Sequence, residues 1–145
     1  MVVFELVYLT LTTLWLGSMV YSLVVVQPRI ARFFRDDERR EAFLVALANG
    51  NRWPVVAIIV GLVLSGGAAA LAGSGAMSAG YATAVGLDLV AALIFVDVSW
   101  RHWPARIFAL PEQLPGFRRR LTMRATTMTV LIGVSYVVAA AVSLR

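Results

Sequence analysis

The chain has 145 residues, of which 60% are hydrophobic and 14% charged, with a mean hydropathy of +0.81. Soluble domains hold apolar residues to about half, so a water-soluble globular domain is excluded. The absence of cysteine removes disulfides, thiolate metal sites and cysteine nucleophiles, and the absence of lysine removes Schiff-base chemistry, so the net charge of +5 rests on arginine.

The first apolar stretch covers residues 3–26, more than the ~20 residues a helix needs to cross the hydrocarbon. It lacks a basic n-region and is too long for a signal-peptide core, so it is expected to remain as an anchor with its N-terminus outside. Glu5 and Tyr8 near its outer end form no constellation with a known chemistry. Pro28 has no N–H and is expected to kink or end this helix. Asp36 or Asp37 then offers an N-cap, Phe43, Leu44 and Leu47 share a face, and Asn49-Gly50 reads as a stop. A short amphipathic helix over about 36–49, lying on the membrane surface, is the expectation.

A second span follows at residues 54–73. Within it Ala57, Gly61, Ser65, Ala69 and Gly73 recur every four residues, a candidate ridge for close backbone contact with another span or a second subunit. Leu62 is expected to lie on another face and to tolerate substitution better than Gly61. The connection from Ala72 to Gly80 is uncharged, and Ser74 to Ser78 reads as a tight turn that makes the second and third spans antiparallel neighbours.

The third span, residues 81–100, carries two acids. Asp97 precedes Arg101 by four residues, the spacing of a helical ion pair. Asp88 lies about seven residues in, or ~10 Å deep at 1.5 Å per residue. The next connection holds Pro104, Pro111, Pro115 and Gly116 and is expected to be ordered but irregular; the fourth span covers residues 125–144. Pro28-Arg29-Ile30 after the first span and Pro104-Ala105-Arg106-Ile107 after the third suggest two related helical hairpins.

Charge orients these spans. Six arginines fall between Arg29 and Arg52 and six between Arg101 and Arg124, both blocks in connections on one side. Short loops rich in arginine stay in the cytoplasm, and Trp53, Trp100 and Trp103 sit where an aromatic belt belongs. The expected fold is all-α: an integral membrane antiparallel four-helix bundle with both termini outside and two arginine-rich cytoplasmic loops, in the cytoplasmic (inner) membrane of a bacterium. Arg29, Arg32, Arg118, Arg119 and Arg120 are expected to meet lipid headgroups. A basic pI alone does not make a nucleic-acid binder, and none is expected.

Candidate chemistry is sparse. No basic residue shares the depth of Asp88, but Thr10, Thr13, Ser65, Ser135 and Tyr136 do, and together they would form a polar layer. Intramembrane acids are costly and mark proton or ion pathways, whereas a neutral acid can also join helices by hydrogen bonds; both readings are open. His102 is the single histidine and lies at the cytoplasmic boundary, which excludes a bis-histidine haem within one chain. Met19 and Met128 share a depth, and thioethers suit Cu(I), although methionines in an apolar bundle are ordinarily filler. No metalloprotease, nucleophile-elbow or phosphate-loop motif is present, so no cofactor, resident metal or enzymatic activity is expected.

Leu14-Trp15-Leu16-Gly17, followed by an apolar stretch and Val26-Gln27-Pro28, resembles the first span of copper-resistance D-type membrane proteins and related four-helix families. The resemblance covers about the first third of the chain and implies a four-span membrane protein with a link to copper. Family members often carry a histidine seven residues before the tryptophan; here that position is Tyr8. The functional expectation is a non-catalytic accessory or assembly subunit packed against other integral membrane subunits or copies of itself. The alternative is a small copper-handling or ion-translocating protein using Asp88.

Overall fold

Apolar residues without helix breakers leave each long stretch one low-cost backbone, the helix that satisfies its own N–H and C=O groups. The computed structural model describes residues 1–145 and contains four helical rods long and apolar enough to cross a membrane: Val2–Phe33, Asp37–Ala72, Gly75–Ile107 and Pro111–Ser143. There are no strands. The helices are α1 (Val2–Tyr21), α2 (Gln27–Phe33), α3 (Asp37–Ala72), α4 (Gly75–Asp97), α5 (Trp103–Ile107) and α6 (Leu114–Ser143).

α1 packs on α3 and α6, and α4 packs on the same two helices, so the long helices close a ring. Alternating direction leaves both termini and the turn between α3 and α4 at one end, and both arginine-rich connections at the other. Alanines dominate the core, among them Ala69, Ala84, Ala91 and Ala139, while Tyr8, Trp15 and Tyr81 fill its remaining space. Small residues at the seams let helix backbones approach closely. The turn itself is shorter than expected. α3 ends at Ala72, and Gly75, at φ +54°, already begins α4, taking a left-handed conformation that favours glycine.

Two features depart from expectation at the arginine-rich end. Pro28 does not end the first helix. Residues Ser22–Val26 form a π turn in which the Gln27 N–H bonds to Ser22 O, five residues back, and α2 follows with Pro28 in its first turn. The wider turn makes room for the ring, which in a regular helix would strike a carbonyl of the preceding turn. Residues Val98–His102 repeat this device before Pro104, with the Trp103 N–H bonding to Val98 O. The two proline segments thus share a backbone solution as well as a few letters.

The second departure is α3. No separate surface helix exists over 36–49, because the helix capped by the Asp36 side chain on the Glu38 N–H (3.1 Å) runs unbroken for 36 residues. Asn49-Gly50 does not stop it, since a glycine stop needs a left-handed residue and only Gly75 adopts one. Pro54 sits inside the helix. α3 is therefore about 54 Å long at 1.5 Å per residue, against ~30 Å of hydrocarbon.

The small-residue ridge is real only in its middle. A step of four residues turns a helix by about 400°, so a strict i,i+4 series drifts ~40° per step. Ala57 is accordingly exposed, Gly61 meets α1, Ser65 and Ala69 are buried, and Gly73 caps the helix. A Cβ at Gly61 would lie 2.7 Å from Leu11 Cδ1. The buried face of α3 is Leu62, Ser65, Gly66 and Ala69, so Leu62 is a core residue and does not lie on an outer face as expected.

Candidate functional site: a buried hydroxyl–carboxyl chain

On α1 the residues at i, i+4 and i+7 from Tyr8 face inward: Tyr8, Thr12 and Trp15 are each at most 1% exposed. Tyr8 reaches across the ring axis because Gly66 of α3 offers no side chain in its way; a Cβ there would lie 2.7 Å from the phenol ring. Tyr81 braces the other side, edge-on at 5.4 Å between ring centroids. The phenol oxygen of Tyr8 then lies 2.5 Å from Asp88 Oδ2 on α4 and 2.7 Å from Ser135 Oγ on α6. Ser135 in turn donates to the Ala84 carbonyl one turn before Asp88, at 3.1 Å. One continuous chain of polar atoms therefore ties α1, α4 and α6 in the interior. Asp88 is 2% exposed and Ser135 fully buried. Asp88 Oδ1 has no hydrogen-bond partner.

Of the anticipated polar layer, Asp88 and Ser135 meet, but the other members do not join them. Thr10 and Thr13 point outward, and the Thr13 hydroxyl donates to Leu9 O of its own helix at 2.8 Å. Ser65 is buried yet bonds to the Gly61 carbonyl at 2.6 Å. Tyr136, beside Ser135 in sequence, is half-buried and makes no hydrogen bond. Depth was readable from residue counts; the side of the helix was not. Tyr8, which forms no constellation recognisable in the sequence, is the residue that completes the chain.

Metal chemistry finds little to build on. Met128 belongs to the core cluster and Met19 packs against it. No three His, Asp or Glu side chains converge anywhere. His102 is buried with its ring against Trp103 and Phe117.

The arginine-rich end carries a second polar assembly, outside the apolar parts of the helices. Glu41 on the extension of α3 receives Arg106 Nε (2.6 Å) and Nη2 (2.8 Å) and also Arg118 Nη2 (3.1 Å), while Asp37 receives Arg118 Nη2 at 2.8 Å. Burial opposes ionisation of Glu41, but these guanidiniums outweigh it and hold its carboxyl below the ordinary range. Arg106 stacks over Trp103 at 4.9 Å. Arg52 donates from Nη2 to Ser99 O at 2.6 Å and lies over the Trp100 ring. Ser99 is five residues before Pro104, which has no N–H to give it, so Arg52 satisfies the carbonyl that the π turn leaves open.

The arginines expected at lipid headgroups divide. Arg29, Arg32, Arg119 and Arg120 are exposed, whereas Arg118 is drawn into the Glu41–Asp37 pairs. The Asp97–Arg101 pair is present but long, 3.9 Å, and the tighter partner of Asp97 is Arg124 at 2.7 Å.

Comparison with known protein families, curated proteins and solved structures finds no match for this chain.

Proposed function

We propose that this chain is a non-catalytic subunit of the bacterial cytoplasmic membrane, spanning it four times with both termini outside, and that the Tyr8–Asp88–Ser135 chain is helix glue. A count of protons carries the reading. Three contacts run from Asp88 through Tyr8 and Ser135 to the Ala84 carbonyl. An ionised Asp88 leaves only the two hydroxyl protons for them, so one contact is always empty. A neutral carboxyl supplies the third: Asp88 donates to Tyr8, Tyr8 to Ser135, and Ser135 to Ala84 O. Every contact is then filled in one direction, and no charge is buried without a partner. A chain whose contacts are all filled by a neutral carboxyl joins three helices without needing a counter-charge, which is the requirement for glue.

The alternative, an ion- or proton-translocating role, has one observation in its favour: the buried Oδ1 of Asp88 without a partner. Infrared difference spectra of the purified protein against Asp88→Asn, with proton flux measured in liposomes, separate the two readings. Glue predicts a protonated-carboxyl C=O band that vanishes in Asp88→Asn at neutral pH, with no flux in either protein. A carboxylate band in the wild type, or flux that Asp88→Asn abolishes, would sink it.

The subunit role draws support from the rod that contains α1, which has the smallest buried share of the four. Leu6, Leu9, Thr10, Thr13 and Leu14 line a shallow groove on its outer side, suited to another membrane helix.

A further inference from the structure

The assembly around Glu41 leaves something unused. Arg106 is almost wholly buried, its side chain 1% exposed, and its Nε and Nη2 are both engaged by Glu41. Its Nη1, on the side of the guanidinium away from Glu41, has no partner. Arg106 also lines a cavity of about 90 Å³ whose other walls are Gln27, Arg40, Arg118 and Thr122 with the apolar Leu44 and Leu121, and Glu41 and Asp37 are not among them. Arg40 forms no ion pair, and its Nε is also buried without a partner. Three arginines from three different helices thus share one small cavity against two carboxylates outside it, leaving one positive charge uncompensated. Burial, then the nearby charges of Arg118 and Arg106, push the Arg40 guanidinium below its ordinary range, as expected where like charges are held together.

Buried donors without partners cost free energy that native proteins rarely leave standing. We propose that this cavity binds a phosphate group, taken either from a lipid headgroup or from a free phosphate compound. The volume far exceeds the ~10–15 Å³ one water requires. A tetrahedral oxyanion brings enough acceptors to meet guanidiniums arriving from several directions, where a carboxylate has only two oxygens, and arginine forks suit phosphate oxygens.

The test uses the full chain in neutral detergent. Its unfolding midpoint is followed against inorganic phosphate, with chloride at matched ionic strength as the reference. In a second arm the chain is reconstituted in phosphatidylcholine nanodiscs with and without phosphatidylglycerol, and retained lipid is read by native mass spectrometry. Arg40→Gln breaks no ion pair, and Arg119→Gln removes an exposed charge away from the cavity. The expected result is saturable stabilisation by phosphate, retained phosphatidylglycerol, or both, with apparent affinity about tenfold weaker in Arg40→Gln and unchanged in Arg119→Gln. Retained lipid identifies the headgroup as source; a phosphate response without retained lipid identifies a free compound. Equal loss in the two variants would reduce the site to general surface charge and overturn it. So would a wild type that responds to neither probe, whether or not Arg40→Gln folds.

Discussion

At the residue scale the interior depends on an absence. Gly66 carries nothing on the face where Tyr8 lies, and a Cβ added there would sit 2.5 Å from Val85 Cγ2 and 2.7 Å from the phenol ring. Gly66→Ala must therefore displace the ring and pull the phenol from Asp88 and Ser135. Overpacking of this kind costs about 1–3 kcal/mol, while each lost hydrogen bond in a membrane averages only ~0.6 kcal/mol, so the steric part dominates. Gly86 has nothing within 4 Å of its would-be Cβ. Gly86→Ala is expected to be neutral or slightly stabilising, because glycine is a poor helix former. Thermal unfolding of the two variants in detergent checks the contrast, and similar midpoints would mean that Tyr8 does not rest on Gly66. The sequence displays Asp88 and Ser135 openly, and counting from the turn end puts them at one depth. It hides their facing, because spans that are apolar all round carry no period from which to tell the core side. Thr10 and Thr13 were expected inside for that reason, and Tyr8 and Thr12 stand there instead.

At the element scale, the extension of α3 beyond the apolar stretch is held by charge. Glu41 binds Arg106 and Arg118, and its carboxyl is kept below the ordinary range. A group whose folded-state value is depressed adds stability above its unfolded value, and that stability fades as the pH falls through the folded one. The unfolding midpoint should thus hold from neutral pH to just above the ordinary glutamate range, then decline on further acidification. Glu41→Gln should start lower at pH 7 and show a shallower acid decline. Parallel pH profiles for the two proteins would show that the pairs contribute nothing. An N-cap at Asp36 or Asp37 was legible in the sequence, and the structure selects Asp36. The continuity of α3 through Gly50 and Pro54 was not, since local helix-stop residues lose to the packing of the helix on both sides of them. At the proline segments a sequence shows the missing N–H but not the wider turn that accommodates it.

At the scale of the whole molecule, the four apolar spans and the tight turn between the second and third were evident in hydropathy and arginine placement, whereas the helical extensions that shorten the two arginine-rich connections were not. The ring order was not, as several orders satisfy the same connections. Orientation is a prediction of the charge pattern: a reporter fused after Arg145 should be active only outside the cytoplasm, and cytoplasmic activity would reverse the topology. The subunit reading is testable in intact membranes. A photo-crosslinker at Thr10, in the groove on α1, should capture a discrete protein, whereas one at the exposed Val137 of α6 should capture chiefly lipid. Lipid adducts alone at both positions would leave α1 an ordinary lipid-facing helix.

In the closed ring the first and last long helices are direct neighbours, though less extensively packed than the consecutive pairs, with Tyr8 against Ser135 joining them. The order in which a ribosome delivers the four helices is then incidental to the finished contacts. A short linker from Arg145 to Met1, with the chain opened between Gly73 and Gly75, is a circular permutation that leaves every seam in place and keeps the new ends on the side of the old ones. The same gap could divide the gene into two hairpins, each with its own π turn and proline, that meet again as separate polypeptides.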